Sequence, residues 1–290
     1  MQTCLETPFQ RLLVDPALGG SVLRWDWRMP DGHWEPLFRP ASAGASAPTE
    51  LACFPLAPWA NRVSAGGFDV AGRHHALGLN WPGDACPLHG DAWLQAWSLQ
   101  SAAVDTLTMV LDSARPQHSP YRFQASQRFD LLADGLVITL QLRAQDALPL
   151  PYGIGLHPYF HDVDDAVLQA ACDGVWLPEA GRLAARHVQP VPAPWSFAHP
   201  RATRELLVDH CFSGWDGKAV IAWPRRGLTL RMTASPASGW MQLCRQAGWE
   251  WLCLEPVSHP VDAFHLPGMP GLAVLAPGET LSLAMDLRVA

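Results

Sequence analysis

Residues 121–145 read YRFQASQRFDLLADGLVITLQLRAQ and carry the clearest structural signal in the chain. Apolar and polar residues alternate on both sides of Asp134-Gly135, as they do in strands with one buried face. Asp-Gly is also a favoured turn between two antiparallel strands. The stretch therefore predicts a β-hairpin that turns at Asp134-Gly135.

Similar patterns recur over the rest of the chain. Residues 22–29 and 106–112 alternate in the same way, and residues 218–235 predict a second hairpin near Arg226-Gly227. Two further strands are expected on either side of Pro277-Gly278. Glycine and proline, with 23 and 27 residues, interrupt the chain too often for long helices. These features predict an all-β fold, an antiparallel β-sandwich or barrel with few short helices.

The composition is that of a globular protein with a large core, because 49% of the 290 residues are hydrophobic and 16% are charged. We expect one domain over residues 1–290, since the residues before the low-complexity stretch 40–50 are too few for an independent domain. The net charge is −7 and no four basic residues run together. Nucleic-acid binding is therefore not expected.

The sequence also bears on where the protein works. It contains no run of about 18 apolar residues, so no membrane-spanning segment is predicted. The N-terminus, MQTCLETPFQRLLVD, lacks the basic and apolar regions of a signal peptide. The seven cysteines are odd in number and form no C-x-x-C, which indicates reduced thiols rather than a disulfide scaffold or a zinc site. These features predict a cytoplasmic protein.

Several polar residues stand in apolar or Pro/Gly-rich surroundings. Such side chains are costly to bury unless they find partners or a ligand. Two histidines, one arginine and two carboxylates are enough to bind a polyhydroxylated molecule and to move protons on it. They predict an acid–base enzyme that acts on a sugar. The residues are Asn61, Arg62, His89, His157, Asp209 and Glu255.

Each of these residues also has a structural interpretation. His157 is consistent with a hydrogen-bonded structural histidine, and Pro158 after it disfavours the helix on which His157 and His161 could share a metal. No H-E-x-x-H is present, so no metal site is predicted. Glu255 is consistent with a carboxylate paired to an arginine. Because it follows the apolar run 251–254, we expect partial desolvation and a raised pKa, which would make it a stronger base.

Tryptophan is abundant, with 14 residues. Aromatic faces stack on sugar rings, so Trp59, Trp93, Trp97 and Trp215 are candidates for the floor of a pocket. Core packing is the competing interpretation for each of them.

Taken in order, the motifs resemble the aldose 1-epimerase (mutarotase) family over most of the chain. The resemblance implies a large antiparallel β-sandwich, the galactose mutarotase-like supersandwich. It also implies an isomerase that interconverts the α and β anomers of a free aldose. The motifs are PLAPWANRV (55–63), PLHGDAW (87–93), GIGLHPYF (153–160), VDHCF (208–212), GWMQLC (239–244), CLEPVSHPVDAFH (253–265) and LAPGETLSL (275–283).

The resemblance also implies roles for individual residues. Glu255 matches the general base that takes the proton of the anomeric hydroxyl, and His157 matches the general acid that protonates the ring oxygen. The partner is a small sugar, and no metal or other cofactor is expected. One departure is Cys244-Arg245, where galactose mutarotases carry Tyr-Thr, so the wall near Glu255 is expected to differ. Positions that match the sugar-binding residues or line the same pocket are His89, Arg62, Asp209, Asn61 and Gln242.

Three other functions remain open from the sequence. A hexose-6-phosphate 1-epimerase would need arginines around a phosphate, and Arg62, Arg245 and Arg225-Arg226 are candidates. A retaining glycosidase would use Asp209 and Glu255, with carboxyl groups about 5–5.5 Å apart. A non-catalytic sugar-binding protein on the same fold would keep Arg62 and the aromatic residues.

Overall fold

The computed structural model describes residues 2–115, 118–178, 183–236 and 239–290. The strands are numbered β1 to β24 along the chain, and most of them form two large sheets; every strand pair of the described residues is antiparallel. No helix in these ranges reaches seven residues, which confirms the all-β prediction. The short 3-10 helices are Pro48–Glu50, Ala92–Leu94, Ala193–Trp195, Pro224–Arg226 and Ala263–His265.

The first sheet has 11 strands, and β4 (Trp34–Pro36) pairs only with β3. In spatial order its other strands are β1 (Thr3–Glu6), β2 (Gln10–Asp15), β3 (Ser21–Arg28), β5 (Cys53–Leu56), β13 (Gly155–His161), β22 (Trp251–Val257), β21 (Gly239–Arg245), β18 (Val208–Trp215), β15 (Gly174–Pro178) and β16 (Ala184–Val188).

The second sheet has nine strands, and two further strand pairs lie outside the large sheets. In spatial order the nine are β17 (Phe197–Ala202), β14 (Val167–Ala170), β19 (Lys218–Trp223), β20 (Leu228–Ser235), β24 (Thr280–Val289), β11 (Gly135–Ala144), β10 (Arg122–Leu132), β9 (Thr106–Ala114) and β8 (Ser98–Ala102). The separate pairs are β6 (Gly67–Val70) with β7 (Arg73–Ala76) and β12 (Leu150–Tyr152) with β23 (Ala273–Leu275).

The predicted hairpins are present. β10 and β11 pair with Leu132 opposite Gly135, so the chain turns at Ala133-Asp134, one residue before the predicted Asp134-Gly135. β19 and β20 are joined through Gly227, whose φ of 62° lies in the left-handed region that favours glycine. β23 and β24 flank Pro277-Gly278 as expected, but they do not pair with each other. β23 pairs with β12, whereas β24 lies between β11 and β20.

The core lies between the two large sheets, which makes the fold a β-sandwich. Alternate residues of β10 and β11, such as Phe129 and Ile138, join one apolar cluster with Leu12 and Trp25 of the first sheet. The alternation read from residues 121–145 therefore marks the inward face of the second sheet. No helix of the described residues is long and apolar enough to cross a membrane.

The central strands of the first sheet are buried on both faces. On β22, Leu252 and Leu254 belong to the core between the sheets, whereas Cys253 and Val257 belong to a second apolar cluster on the outer face. Segment 57–97, between β5 and β8, supplies several residues of that cluster, including Trp93. The outer face is thus covered rather than exposed, and it can hold a desolvated site.

Gln10 joins the two sheets through hydrogen bonds. Its buried amide donates to the carbonyl oxygens of Leu132 and Gly135, at 2.5 and 2.7 Å, on the β10–β11 hairpin. Its amide oxygen accepts the indole N–H of Trp25 at 2.9 Å. One side chain therefore satisfies three polar groups that would otherwise be buried without partners.

We predict that Gln10→Leu lowers the free energy of unfolding by about 2–5 kcal/mol, because it leaves buried groups unpaired at about 1–3 kcal/mol each. Urea denaturation followed by Trp fluorescence measures the change. Gln124→Leu, on the outward face of β10, is the matched control. Equal stability of the Gln10 variant and the parent would contradict a role in joining the sheets.

Candidate active site

The candidate site is a polar patch on the outer face of the first sheet. The register of β13 with β22 places His157 opposite Glu255, and His157 also lies opposite Phe54 of β5. Glu255 lies opposite Gln242 of β21, which in turn lies opposite Cys211 of β18. One row across five neighbouring strands therefore brings together residues that are up to 201 positions apart in the chain.

A second row runs parallel to the first, two residues along each strand. Tyr159 lies opposite Cys253, Cys253 opposite Cys244, and Cys244 opposite Asp209. Because side chains of a strand alternate between faces, both rows point to the same side of the sheet. His157, Cys253 and Glu255 thereby bring three possible metal ligands within 4.8 Å of one another.

Segment 57–97 forms the opposite wall of the site, and two of its turns are locked together there. The backbone N–H of Asn61 donates to Nδ1 of His89 at 3.0 Å, and the N–H of His89 donates to the Asn61 carbonyl at 2.9 Å. Both residues have positive φ, 58° and 57°. Burial lowers the pKa of His89 well below its ordinary value, with smaller contributions from His157 and Arg62. Because Nδ1 accepts a bond, the neutral ring carries its proton on Nε2.

Arg62 is held by Asp84, a residue that the sequence did not single out. Its guanidinium donates from Nε to Oδ1 at 3.1 Å and from Nη2 to Oδ2 at 2.6 Å, while Nη1 donates to the Asn61 amide oxygen at 3.2 Å. A bidentate pair of this kind fixes the plane of the guanidinium. The remaining faces of Arg62 and Asp84 line the cavity.

The two walls enclose a cavity of about 260 Å³. This is slightly below the roughly 300–1,000 Å³ of sites for drug-sized ligands and suits a monosaccharide. All seven residues predicted for the site, Asn61, Arg62, His89, His157, Asp209, Gln242 and Glu255, line this cavity.

The tryptophan candidates are wrong as cavity-lining residues. Trp59, Trp93, Trp97 and Trp215 are all buried in the apolar clusters, and of the described residues it is Trp81 and Trp249 that line the cavity. Trp81 belongs to a Trp-Pro-Gly-Asp turn that also carries Asp84. Trp249 lies in the segment between Gln242 and Glu255, the part of the wall that was expected to differ from galactose mutarotases.

His157 and Glu255 contact each other directly at the floor of the cavity. Nε2 of His157 lies 3.3 Å from Oε1 of Glu255, and both residues are almost fully buried. Burial lowers the pKa of His157 to about 3. Burial, with the nearby Asp209 as a smaller cause, raises the pKa of the Glu255 carboxyl well above its ordinary value, while Arg62 acts in the opposite direction. The prediction of a raised pKa for Glu255 agrees with this geometry.

Two acceptor atoms in the cavity wall have no hydrogen-bond partner among the described residues. They are Oε2 of Glu255 and Oε1 of Gln242. The amide of Gln242 is oriented by donating from Nε2 to Oδ1 of Asp209 at 2.9 Å. Buried acceptors without partners are costly, so this wall is suited to a ligand that brings hydroxyl groups.

The ring of His157 packs against two aromatic rings that are neighbours of each other. Phe54 stacks on it at 4.4 Å between ring centroids, Tyr159 lies at 4.7 Å from it, and the Phe54 and Tyr159 centroids are 6.1 Å apart. The guanidinium of Arg39 lies 3.9 Å from the Tyr159 ring and 4.5 Å from that of Trp251. This packing fixes the direction of the imidazole, and the nearby positive charge adds a smaller contribution to its lowered pKa.

His259 is a structural histidine within the same motif as Glu255. Its Nε2 accepts the backbone N–H of Ala60 at 3.0 Å, and its Nδ1 donates to the carbonyl of Pro260 at 2.8 Å. It therefore holds the residue directly before Asn61 against the strand region that carries Glu255. Its position between Ser258 and Pro260 gave no local signal of this role, because the contact joins residues 199 positions apart.

Comparisons with known proteins agree with this fold and with these motifs. Residues 5–288 match the family model described as aldose 1-epimerase. The chain is 35% identical over 285 residues to the uncharacterized protein YphB of Escherichia coli K12, covering 96% of each. A crystal structure from the same organism, provisionally titled an aldose 1-epimerase, has a TM-score of 0.93 at 34% identity and covers 100% of this chain and 99% of its own. A galactose mutarotase-like protein from Clostridium acetobutylicum has the same fold, with a TM-score of 0.86 at 15% identity over 99% of this chain and 94% of its own.

We predict that His259→Leu destabilises the protein by roughly 2–4 kcal/mol at pH 7.5, because the Ala60 N–H and the Pro260 carbonyl lose their partner. Burial lowers the pKa of His259 to about 4, so the unfolded chain binds this proton first as the pH falls. The stabilisation from His259 is then lost progressively as the pH falls from about 6.5 to about 4. Urea denaturation at several pH values should show a smaller difference between parent and variant at low pH.

The exposed His199→Leu variant is the control. If the difference in free energy of unfolding between His259→Leu and the parent grows toward low pH, the structural role assigned to His259 is contradicted.

Proposed function

This chain belongs to the aldose 1-epimerase family, and we propose that it interconverts the α and β anomers of a free aldose by acid–base ring opening and reclosure. It would act as an isomerase in carbohydrate metabolism, with a small sugar as its partner.

The contact between His157 and Glu255 is the observation that carries this proposal. Ring opening removes a proton from the anomeric hydroxyl and delivers one to the ring oxygen. Both oxygens are bonded to the same carbon, so the acid and the base that serve them must be close neighbours. Nε2 and Oε1, 3.3 Å apart in a desolvated cavity, meet that requirement.

The two residues form a pair that carries one proton in total. With imidazolium and carboxylate, Glu255 takes the proton of the anomeric hydroxyl, His157 protonates the ring oxygen and the C1–O5 bond breaks. The pair is left as imidazole and carboxyl, so one proton has passed from His157 to Glu255 through the sugar. Rotation about C1–C2 and reclosure with the roles reversed give the other anomer.

The shifted pKa values favour the second form of the pair, since burial lowers the pKa of His157 and raises that of Glu255. Ring opening would therefore move the pair toward its preferred protonation state. Reclosure with the roles reversed gives the proton back to His157, so the pair is restored at the end of each turnover without any group outside it.

The other lining residues would hold the sugar hydroxyls. His89 offers its Nε2–H as a donor, because Nδ1 accepts from Asn61. Arg62 is oriented by Asp84 and Asn61, and Gln242 by Asp209. The unpartnered oxygen of Gln242 is an acceptor for a hydroxyl. Each of these groups is positioned before the sugar arrives, which lowers the cost of binding.

A phosphorylated substrate is poorly served by this cavity. Arg62 is the one arginine among the described residues that line it, and it already pairs with Asp84. Arg225 and Arg226 pair with carboxylates elsewhere, and Arg245 donates to backbone carbonyls of Gln246 and Arg204. Asp209 also lines the cavity, beside the Arg62–Asp84 pair, and its carboxylate would oppose a phosphate dianion.

The alternative function of a retaining glycosidase is also less well supported. Asp209 and Glu255 lie on β18 and β22 with β21 between them, and they are offset by two residues in the strand register. Asp209 instead binds Gln242, and it is His157 that contacts Glu255. A sugar-binding protein without activity would need no such acid–base contact.

We propose the cytoplasm as the compartment. None of the seven cysteines, which all lie in the described ranges, forms a disulfide, as expected in a reducing environment.

Replacing either member of the proton-transfer pair should remove most of the catalysis. We expect Glu255→Gln and His157→Asn each to lower turnover by roughly 10²-fold or more, the usual contribution of a positioned acid or base. Polarimetry of freshly dissolved α-D-glucose and α-D-galactose, with the uncatalysed rate subtracted, measures the effect.

The matched controls are Glu250→Gln and His161→Asn, which lie near the pair in sequence but outside the cavity lining. Binding of sugar with no acceleration by the parent protein would contradict the proposal and favour a binding role.

Sugar phosphates should compete no better than free sugars. We expect glucose 6-phosphate to inhibit anomer interconversion more weakly than glucose, because its charge faces an excess of carboxylates. Inhibition constants from the same polarimetric assay test this. An inhibition constant for glucose 6-phosphate tenfold below that for glucose would instead favour a hexose-6-phosphate 1-epimerase.

A further inference from the structure

Cys253 has no part in the proposed proton transfer, yet it lies beside both catalytic residues. It precedes Glu255 by two residues on β22, so both side chains point to the same face of the sheet. Three donor atoms lie within 4.8 Å of one another, one each from His157, Cys253 and Glu255, and all three residues are buried. An imidazole, a thiol and a carboxylate are the ligand types that zinc and related ions prefer.

The surroundings favour a cation over an anion. Three carboxylates line the cavity, Asp84, Asp209 and Glu255, against one arginine among the described residues. That arginine is already paired with Asp84. Oε2 of Glu255 has no hydrogen-bond partner in the described part of the chain, although the residue is only 2% exposed. An unpaired carboxylate oxygen at this depth is a second indication of a ligand site.

We propose that His157, Cys253 and Glu255 bind one thiophilic divalent cation of the Zn²⁺ class, and that the bound ion inhibits the enzyme. Bond lengths of about 2.0–2.3 Å place the donors of a tetrahedral site roughly 3.3–3.8 Å apart. Because the donors already lie within 4.8 Å of one another, the widest pair has to close by at most about 1 Å. The fourth position faces the cavity, where water or a sugar hydroxyl completes the coordination.

Protons balance in this binding step. The ion replaces the thiol proton of Cys253 and the single proton of the His157–Glu255 pair, so up to two protons are released for each ion bound. With Nε2 and the carboxylate engaged by the metal, neither acid nor base is available to a sugar. The inhibition rests on the proposed function, whereas the binding of the ion does not.

Cadmium is the probe, because a thiolate bound to Cd²⁺ gives a charge-transfer absorption in the ultraviolet. The titration is made in a Cys4→Ser/Cys86→Ser/Cys172→Ser background, which removes the exposed and half-buried thiols. We expect one equivalent of Cd²⁺ to bind, with loss of the absorption in Cys253→Ser and in Cys253→Ala. Glu255→Gln and His157→Asn should each weaken binding by at least about tenfold, as even changes outside the ligand set can do.

Cys244→Ser is the matched control, because Cys244 lies directly opposite Cys253 on β21 and lines the same cavity. It should keep the absorption. Persistence of the band in both Cys253 variants, or its loss in Cys244→Ser, would overturn the assignment. Circular dichroism shows that each variant is folded before its titration is interpreted.

A second measurement separates this inference from the proposed function. Zn²⁺ should slow anomer interconversion by the parent protein, and EDTA should reverse this inhibition. The residual activity of Cys253→Ser should be the same with and without Zn²⁺. A protein that binds Cd²⁺ through Cys253 but has no epimerase activity would refute the proposed function alone. An active enzyme that binds no Cd²⁺ would refute the metal site alone.

Discussion

The antiparallel pairing of β13 with β22 is the constraint on which the site depends. It places His157 opposite Glu255 and Tyr159 opposite Cys253, and it leaves Leu156 and Leu254 to face the core between the sheets. A slip of one residue in either strand would exchange the faces and send the catalytic side chains into that core. Because both faces are buried, such a slip would place charged groups among apolar ones, and the register is strongly specified.

The covering segment 57–97 makes this register chemically useful. It closes the outer face of the sheet, so His157 and Glu255 lie in a low-dielectric environment. Burial moves the pKa of the imidazole down and that of the carboxyl up, which favours the imidazole–carboxyl form of the one-proton pair. The same segment carries Asn61, Arg62 and His89, whose mutual hydrogen bonds are formed before any sugar binds. Inter-sheet and inter-segment contacts through Gln10 and His259 keep these parts together.

Much of this could be predicted from local signals. The hairpins at residues 121–145 and 218–235 follow from alternation and from turn residues, both properties of short stretches. Six of the seven site residues were found because each is a polar residue in apolar or Pro/Gly-rich surroundings, whereas Gln242 was found only because the motifs resemble a known family. The wrong tryptophan candidates show the limit of this reasoning. Trp93 ends the PLHGDAW motif but packs into the second apolar cluster, whereas Trp81 and Trp249, outside the motifs, line the cavity.

The sequence alone thus specifies the strands, their inward faces and a set of residues that must find polar partners. Those features are local, since the alternation of a strand and the cost of burying a charge do not depend on distant contacts. Only the packed sheets reveal that Asp84 orients Arg62, that His259 supports Ala60 and that Cys253 stands next to the acid–base pair. Each of these contacts joins different strands or loops, and strand order and register are set by the burial of the whole sheet rather than by any one segment.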